Sequence, residues 1–219
     1  MGDASWYNTG YESKVDPPVQ QGRRFWMPMN TTKTITIVDD VSAIFEMDGE
    51  KVKLALPFLF HEHNLRLNGH WRNWFTCLAP LGKICPLDKA KGKLAPQVAA
   101  YTVIDHDEWT DKDGKKHKDE LKLYVVKTSI TAFSYLEKKA KQLGSLRGVT
   151  FEVSRLGDNA TKCPTVGTNF EKVEPRYPNG LPNDFQPFNY LEQFKPRSAV
   201  ELKSIIGAVA DEAEETLDF

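Results

Sequence analysis

Residues 98–127, VAAYTVIDHDEWTDKDGKKHKDELKLYVVK, and the segment after them, ITAFSYLEKKAKQL at 130–143, decide the fold. Val98 to Trp109 and Leu121 to Lys127 read as a strand pair. Asp111 to Lys118 joins them, with Asp113-Gly114 as the turn, so the product is a long hairpin with a charged tip. Ile130, Phe133, Leu136, Ala140 and Leu143 then recur at helical spacing, which predicts a helix with one buried face that stops at Gly144. Strands resume at Val149–Leu156 and Thr165–Val173. Strands, one interior helix, then strands again fit a small β-barrel.

Upstream, Thr34–Val38, Ala43–Met47, Lys51–Leu56 and Trp71–Cys77 are short and rich in β-branched or aromatic residues. Asp48-Gly49 sets a hairpin turn between the second and third. Pro80 to Pro96 is irregular, broken by Gly82, Pro86 and Gly92. The expected fold is mainly β with a few helices: an OB-type five-stranded β-barrel with an added hairpin and a C-terminal helix. The expected organisation is a flexible N-terminal arm at 1–22, a core at 23–174, and a Pro-rich surface segment at 175–197. A helix at 198–210 and an acidic tail at 211–219 complete it. Ser198 and Glu201 have capping-box spacing at the start of that helix.

The tail, DEAEETLDF, carries five carboxylates and no basic residue, whereas the whole chain balances 29 Lys+Arg against 30 Asp+Glu. Without the five tail acids the balance is 29 against 25, a body of about +4. A basic body with an acidic end suggests a polyanion binder that carries its own competitor. No 18-residue apolar run is present, so no membrane span is expected. The N-terminus lacks the pattern of a secretory signal, and Trp6 stands where myristoylation of Gly2 needs Ser or Thr. The three cysteines then read as reduced thiols of a soluble, cytoplasmic protein.

Several segments, taken in order, resemble a known family. They are Arg24-Phe25-Trp26-Met27-Pro28, Asp39-Asp40, Phe60-His61-Glu62-His63, Trp71-Arg72-Asn73-Trp74-Phe75-Thr76-Cys77 and Cys85-Pro86-Leu87. Tyr101-Thr102-Val103-Ile104-Asp105 and Phe151-Glu152-Val153-Ser154-Arg155 complete the set. Over residues 23–173 the chain resembles phage single-stranded DNA-binding proteins related to the T-even helix-destabilising protein. The resemblance implies an OB barrel that coats single strands during phage DNA replication, recombination and repair in the host cytoplasm. An acidic tail is common among phage replication binders, and this one is expected to dock replication or recombination proteins. Two departures stand out. Related proteins often carry a zinc-like set of His, Cys and a Cys-Pro-x-Cys pair, but here Asp88 follows Cys85 three residues later. Extra sequence at Ala43–Pro57 would add a hairpin.

A binder of single strands needs cations for phosphates and flat rings for bases. The chain interleaves them at Arg23, Arg24, Phe25 and Trp26, and again at Arg66, Trp71, Arg72, Trp74 and Phe75. Tyr101, Lys122, Tyr124 and Lys127 lie on the central strand pair, Lys115 and Lys116 at its tip, and Arg155 on a later strand. Trp71 and Trp74, three apart on a strand, face opposite sides, so one of them belongs to the core. Phe133 and Phe151 are expected in the core as well. Self-association on DNA is compatible with this plan.

Cys77, Cys85, Asp88 and either His61 or His63 would make a four-ligand zinc set, but structural zinc prefers thiolate and imidazole. With Asp88 where a fourth Cys or His is expected, no cofactor and no metal is expected. Asp105, Asp107 and Glu108 lie close together in the chain, and two-metal nucleases use clustered carboxylates. They read more simply as the solvated end of a strand, and the chain reads as no enzyme. RNA or duplex binding, metal-dependent nuclease activity, and a pure protein-interaction role stay open as alternatives. In the tail, Asp211, Glu212, Glu214, Glu215 and Asp218 would substitute for phosphates in the DNA groove. Phe219 would anchor the tail to a partner once DNA displaces it.

Overall fold

In the computed structural model, residues 23–67, 70–110, 113–157 and 167–206 are described. Among the described residues eleven strands run in chain order: β1 (Thr31–Ile37), β2 (Ser42–Met47), β3 (Glu50–Ala55), β4 (Phe58–Leu67), β5 (His70–Thr76), β6 (Gln97–Asp105), β7 (Trp109–Thr110), β8 (Lys116–His117), β9 (Glu120–Lys127), β10 (Thr150–Arg155) and β11 (Asn169–Lys172). The helices are α1 (Pro86–Lys91), α2 (Thr131–Leu143), α3 (Tyr190–Gln193) and α4 at 199–206. The protein is thus mainly β, with a large antiparallel sheet. No helix among the described residues is long and apolar enough to cross a membrane. Contacts divide the chain into two units. A sheet unit holds 23–58 and 99–189, and a knuckle unit holds 59–98 and 190–206.

In the sheet unit the strand order is β11–β10–β1–β6, and β9 also pairs with β6. β1 lies antiparallel to β10, with Ile35 opposite Phe151, and antiparallel to β6, with Ile37 opposite Val103. Period-two alternation gives β1 two different faces. Ile35 and Ile37 enter an apolar cluster with Tyr101, Val103, Tyr124, Val126, Phe151 and Val153. Thr36 points the other way, 2.9 Å from Thr150 Oγ1 and 2.7 Å from His106 Nε2, and His106 Nδ1 meets Asp119 Oδ1 at 2.6 Å.

α2 closes the apolar side. Ala132 and Leu136 are buried, and Phe133, Tyr135 and Ala140 pack on the same cluster, as their spacing predicts. Leu143 is exposed instead, because the stripe leaves the sheet one turn before the stop at Gly144. The helix contacts both β9 and β11. The β2–β3 hairpin forms as expected, with Asp48 and Gly49 at φ 52° and 81°, the left-handed pair that a two-residue turn demands. Gly167, at φ 100°, is required for another reason. A Cβ there would overlap Val153 Cγ1. The Pro-rich stretch to Asn189 is tied to the unit by backbone and side-chain bonds, among them Phe188 N to Thr102 Oγ1 at 3.0 Å and Asn189 Nδ2 to Glu46 O at 2.8 Å.

The knuckle unit is built on the β4–β5 hairpin, with Glu62 opposite Thr76 and His63 opposite Phe75. The ten-residue β4 is absent from the strands predicted above, and Pro80–Pro96 is ordered into a 3₁₀ turn (Ala79–Leu81) and α1. Thr76 Oγ1 donates to Phe194 O at 2.7 Å, and the Phe60 and Phe194 rings lie 4.2 Å apart. The predicted capping box is realised: Ser198 N donates to Glu201 Oε2 at 2.8 Å and Glu201 N donates to Ser198 Oγ at 3.3 Å. The Ser198 hydroxyl, which donates to Glu201 Oε2 at 2.7 Å, and then the Ser198 N–H hold the Glu201 carboxyl below its ordinary pKa.

Candidate functional site

The knuckle unit gathers four donor side chains. Cys77 follows directly on β5, where its N–H closes the hairpin on His61 O at 2.8 Å. His63 is an inward residue of β4, only 2% exposed. Gly82, at φ 68°, turns the chain back, so that Cys85 becomes the N-cap of α1 and Asp88 lies three residues on, on the same side of the first turn. One ligand atom from each of His63, Cys77, Cys85 and Asp88 lies within 4.8 Å of all the others.

These spacings can be tested against a metal. Zinc bound at about 2.0–2.3 Å in a tetrahedron places its ligand atoms roughly 3.3–3.8 Å apart. Here Cys77 Sγ is 3.2 Å from Asp88 Oδ2, His63 Nε2 is 3.3 Å from Asp88 Oδ1, and Cys85 Sγ is 3.5 Å from His63 Nε2. These separations involve both Asp88 oxygens, and the four ligand atoms together lie within 4.8 Å, close enough for the side chains to hold a metal ion. Asp88 is already oriented, since its Oδ1 accepts the Ala95 N–H at 2.9 Å. His61 takes no part. Its Nδ1 pairs with Ala95 O at 2.9 Å. A hydrogen bond from Cys77 holds Cys85 well below the ordinary thiol range, against burial and with help from His63. The same bond, together with burial, pushes Cys77 well above it. Metal binding would require both thiols to give up their protons.

The residues expected to meet DNA divide into three groups. Phe25, Tyr101 and Tyr124 are buried at 3%, 2% and 0% exposure in the sheet unit's core, and Phe75 is buried in the knuckle unit. Their expected stacking role is corrected, because rings enclosed in the core leave no face for a base. Arg155 is likewise internal and donates to Met27 O at 2.7 Å. Arg23, Trp26, Lys115, Lys116 and Lys127 are exposed in the sheet unit, and Arg24 and Lys122 are half-buried. In the knuckle unit Trp74 is half-buried. The side chains of Arg66, Trp71 and Arg72 lie outside the described residues, as do Asp211, Glu212, Glu214, Glu215, Asp218 and Phe219.

Two features escape a reading of the sequence. The first is a stacked group around Trp109. Its ring lies 4.4 Å from that of His117 at an interplanar angle of 13°, and the Arg23 guanidinium stands 5.0 Å over it. Trp109 Nε1 and His117 Nδ1 both bond Glu120, at 2.9 Å each. The bridge between Arg24 and Leu123 brings Arg23 there, a tertiary pairing with no local signal. The second is Asp105. It is not the solvated end of a strand but fully buried, held by Lys33 at 3.0 Å and Lys122 at 2.7 Å. Burial alone would raise its pKa, yet the bonds from Lys122 and Lys33 outweigh burial and hold it below the ordinary value. Compared with known proteins, the chain matches no family model, no curated protein and no solved structure.

Proposed function

We propose that this chain is a non-catalytic binder of single-stranded DNA on an OB-type barrel. The observation that carries the reading is the arrangement of five strands and one helix. β11–β10–β1–β6, with β9 also on β6, leaves β9 and β11 as ends, and α2 packs against both. Tyr124 on β9 and Phe170 on β11 meet edge-on at 5.9 Å beneath it, which supports closure of the interior by side chains. A five-stranded barrel of this plan offers the face of its second and third strands, here β6 and β9, to an unpaired strand. At the tip beyond these strands lie Trp109, His117, Arg23, Lys115 and Lys116, rings and cations of the kind that take bases and phosphates. The two ammonium groups on Asp105 support a scaffold role for that carboxylate over metal-assisted cleavage.

In the same reading the chain coats strands in phage replication, recombination and repair within the host cytoplasm. Its acidic tail competes with DNA at low salt and docks replication or recombination proteins. His63, Cys77, Cys85 and Asp88 hold a zinc ion that supplies a structural cross-link, which revises the expectation of a metal-free chain.

A titration with oligo(dT) over a salt series tests the proposal. Tryptophan fluorescence should be quenched, and affinity should fall linearly with salt on logarithmic axes. A chain ending at Ala210 should bind more tightly, most of all at low salt. Absence of quenching, or equal affinity for a duplex of the same length, overturns the reading.

A further inference from the structure

We propose that the turn at Lys83–Leu94 in the knuckle unit is the resting site of the chain's own acidic C-terminus. The inward side of this turn consists of Cys85, Pro86 and Leu87, all buried, and of Asp88, whose oxygens face Cys77 and Ala95 N. What it presents outward is basic and apolar. Lys83, Lys89 and Lys93 are exposed, and Ile84 and Leu94 keep 84% and 74% of their surface in water. The support is ordered: Gly92 N bonds Lys89 O at 3.3 Å and Lys93 N bonds Asp88 O at 3.2 Å. Two large aliphatic side chains exposed on a turn that also exposes Lys89 and Lys93 make a surface for an acidic segment with apolar anchors.

The chain carries one such segment. Residues 211–219 hold five carboxylates and the terminal carboxylate, with Leu217 and Phe219 interspersed. Charge and apolar groups are complementary in kind on the two sides. The tail also leaves from the same unit, since Phe194 packs on Phe60, the Arg197 guanidinium lies 5.2 Å over the Phe75 ring, and Leu202 is fully buried. Thirteen residues follow Ile206. Extended, they reach about 40 Å, more than the roughly 25 Å width of a unit of this size. Aliphatic side chains lack the flat face on which a base stacks, so the surface suits a peptide better than a single strand.

This inference rests on the tail reading proposed above and goes beyond it: besides the DNA face for which it competes, the tail has a seat of its own on residues that do not take DNA. Its test contains no DNA, so its failure is separable from a failure of DNA binding. Amide spectra of the ¹⁵N-labelled full-length chain are compared with those of a chain ending at Ala210. Tail-dependent shifts should concentrate at 83–94 and fade by about 0.5 M salt, where screening acts over only a few ångströms. They should disappear in an otherwise full-length Ile84→Ser, Leu94→Ser variant and in a Lys89→Glu, Lys93→Glu variant. Because all four side chains are exposed, the rest of each spectrum should stay in place. Shifts confined to β7–β9, shifts that grow with protein concentration as a second copy's tail would produce, or no shifts at all would each overturn the assignment.

Discussion

Lys122 Nζ sits 2.7 Å from the carboxylate of Asp105, a side chain with no exposed surface. Lys33 completes the arrangement from β1. A buried carboxylate shared by two ammonium groups ties three strands together, and removing its charge leaves Lys33 with Asp107 at 3.4 Å and Lys122 with Glu120 at 3.9 Å, both more solvated than Asp105. Asp105→Asn should therefore cost about 3–5 kcal/mol of stability at pH 7, read by denaturant unfolding. The pH dependence has a fixed sign. The folded pKa lies below the unfolded value of about 3.9, so this stabilisation is complete above that value. It disappears as pH falls through the lowered folded pKa, and the difference between wild type and variant should shrink only below about pH 4. A difference already lost at pH 6 would contradict the assignment.

Tyr124 places its hydroxyl in the apolar cluster, where it has no hydrogen-bond partner among the described residues. Tyr124→Phe should be neutral or stabilising by about 1 kcal/mol. Oligo(dT) affinity should stay within two-fold, a tolerance of roughly 0.4 kcal/mol. A large loss of affinity with unchanged stability would return Tyr124 to the DNA surface.

Trp109 and Trp26 should carry the base contacts instead. Trp26 is 45% exposed, and Trp109 stands in the stack with His117 and Arg23. Alanine at either position should weaken oligo(dT) binding by about 1–3 kcal/mol, while Trp109→Phe should retain most of the affinity. The salt slope should hold, since no phosphate contact is removed. A reduced slope with little loss of affinity would identify the tryptophans as supports for the cations.

Zinc should be present at about one ion per chain by elemental analysis. Its removal by a chelator should lower Tm, with the loss traced to melting of the Pro86–Lys91 helix and its flanks. Cys85→Ser should abolish binding and Asp88→Asn should weaken it, because carboxylate and thiolate bind zinc in their charged forms. Stoichiometric zinc retained in Cys85→Ser would remove this site from consideration.

Gly167→Ala should destabilise the sheet unit by about 1–3 kcal/mol, through overlap with Val153 and the left-handed backbone at φ 100°. Equal stability would mean that β10 gives way freely. Gly49→Ala, in open space, is the control for backbone strain alone.

Much of the scaffold was legible because its signals are local. The 3.6-residue spacing of Phe133, Leu136 and Ala140, the Asp48-Gly49 turn and the Ser198–Glu201 cap each act within a few residues. β4 was not, because its alternation of buried and exposed positions is interrupted where Glu62 and His63 are both buried. The choice of His63 over His61 depends on which of two residues on one strand faces Cys85, a matter of register. The buried tyrosines illustrate the opposite error. An aromatic beside a lysine on a strand reads as a binding pair, yet Tyr124 and Lys122 share a face whose apolar part is core and whose charged end is occupied by Asp105.

β1 carries oil on one side and a hydroxyl-imidazole chain on the other, with Ile35 and Ile37 against Thr36. A slip of one position would drive isoleucine into the Thr150–His106 network and threonine into the hydrocarbon, a double penalty with no intermediate alignment. The strand therefore acts as a ratchet with a single tooth. Hairpin tips at 48–49 and 113–114 can be lengthened, recharged or fused to reporters, and the central alignment will keep its register without help from either.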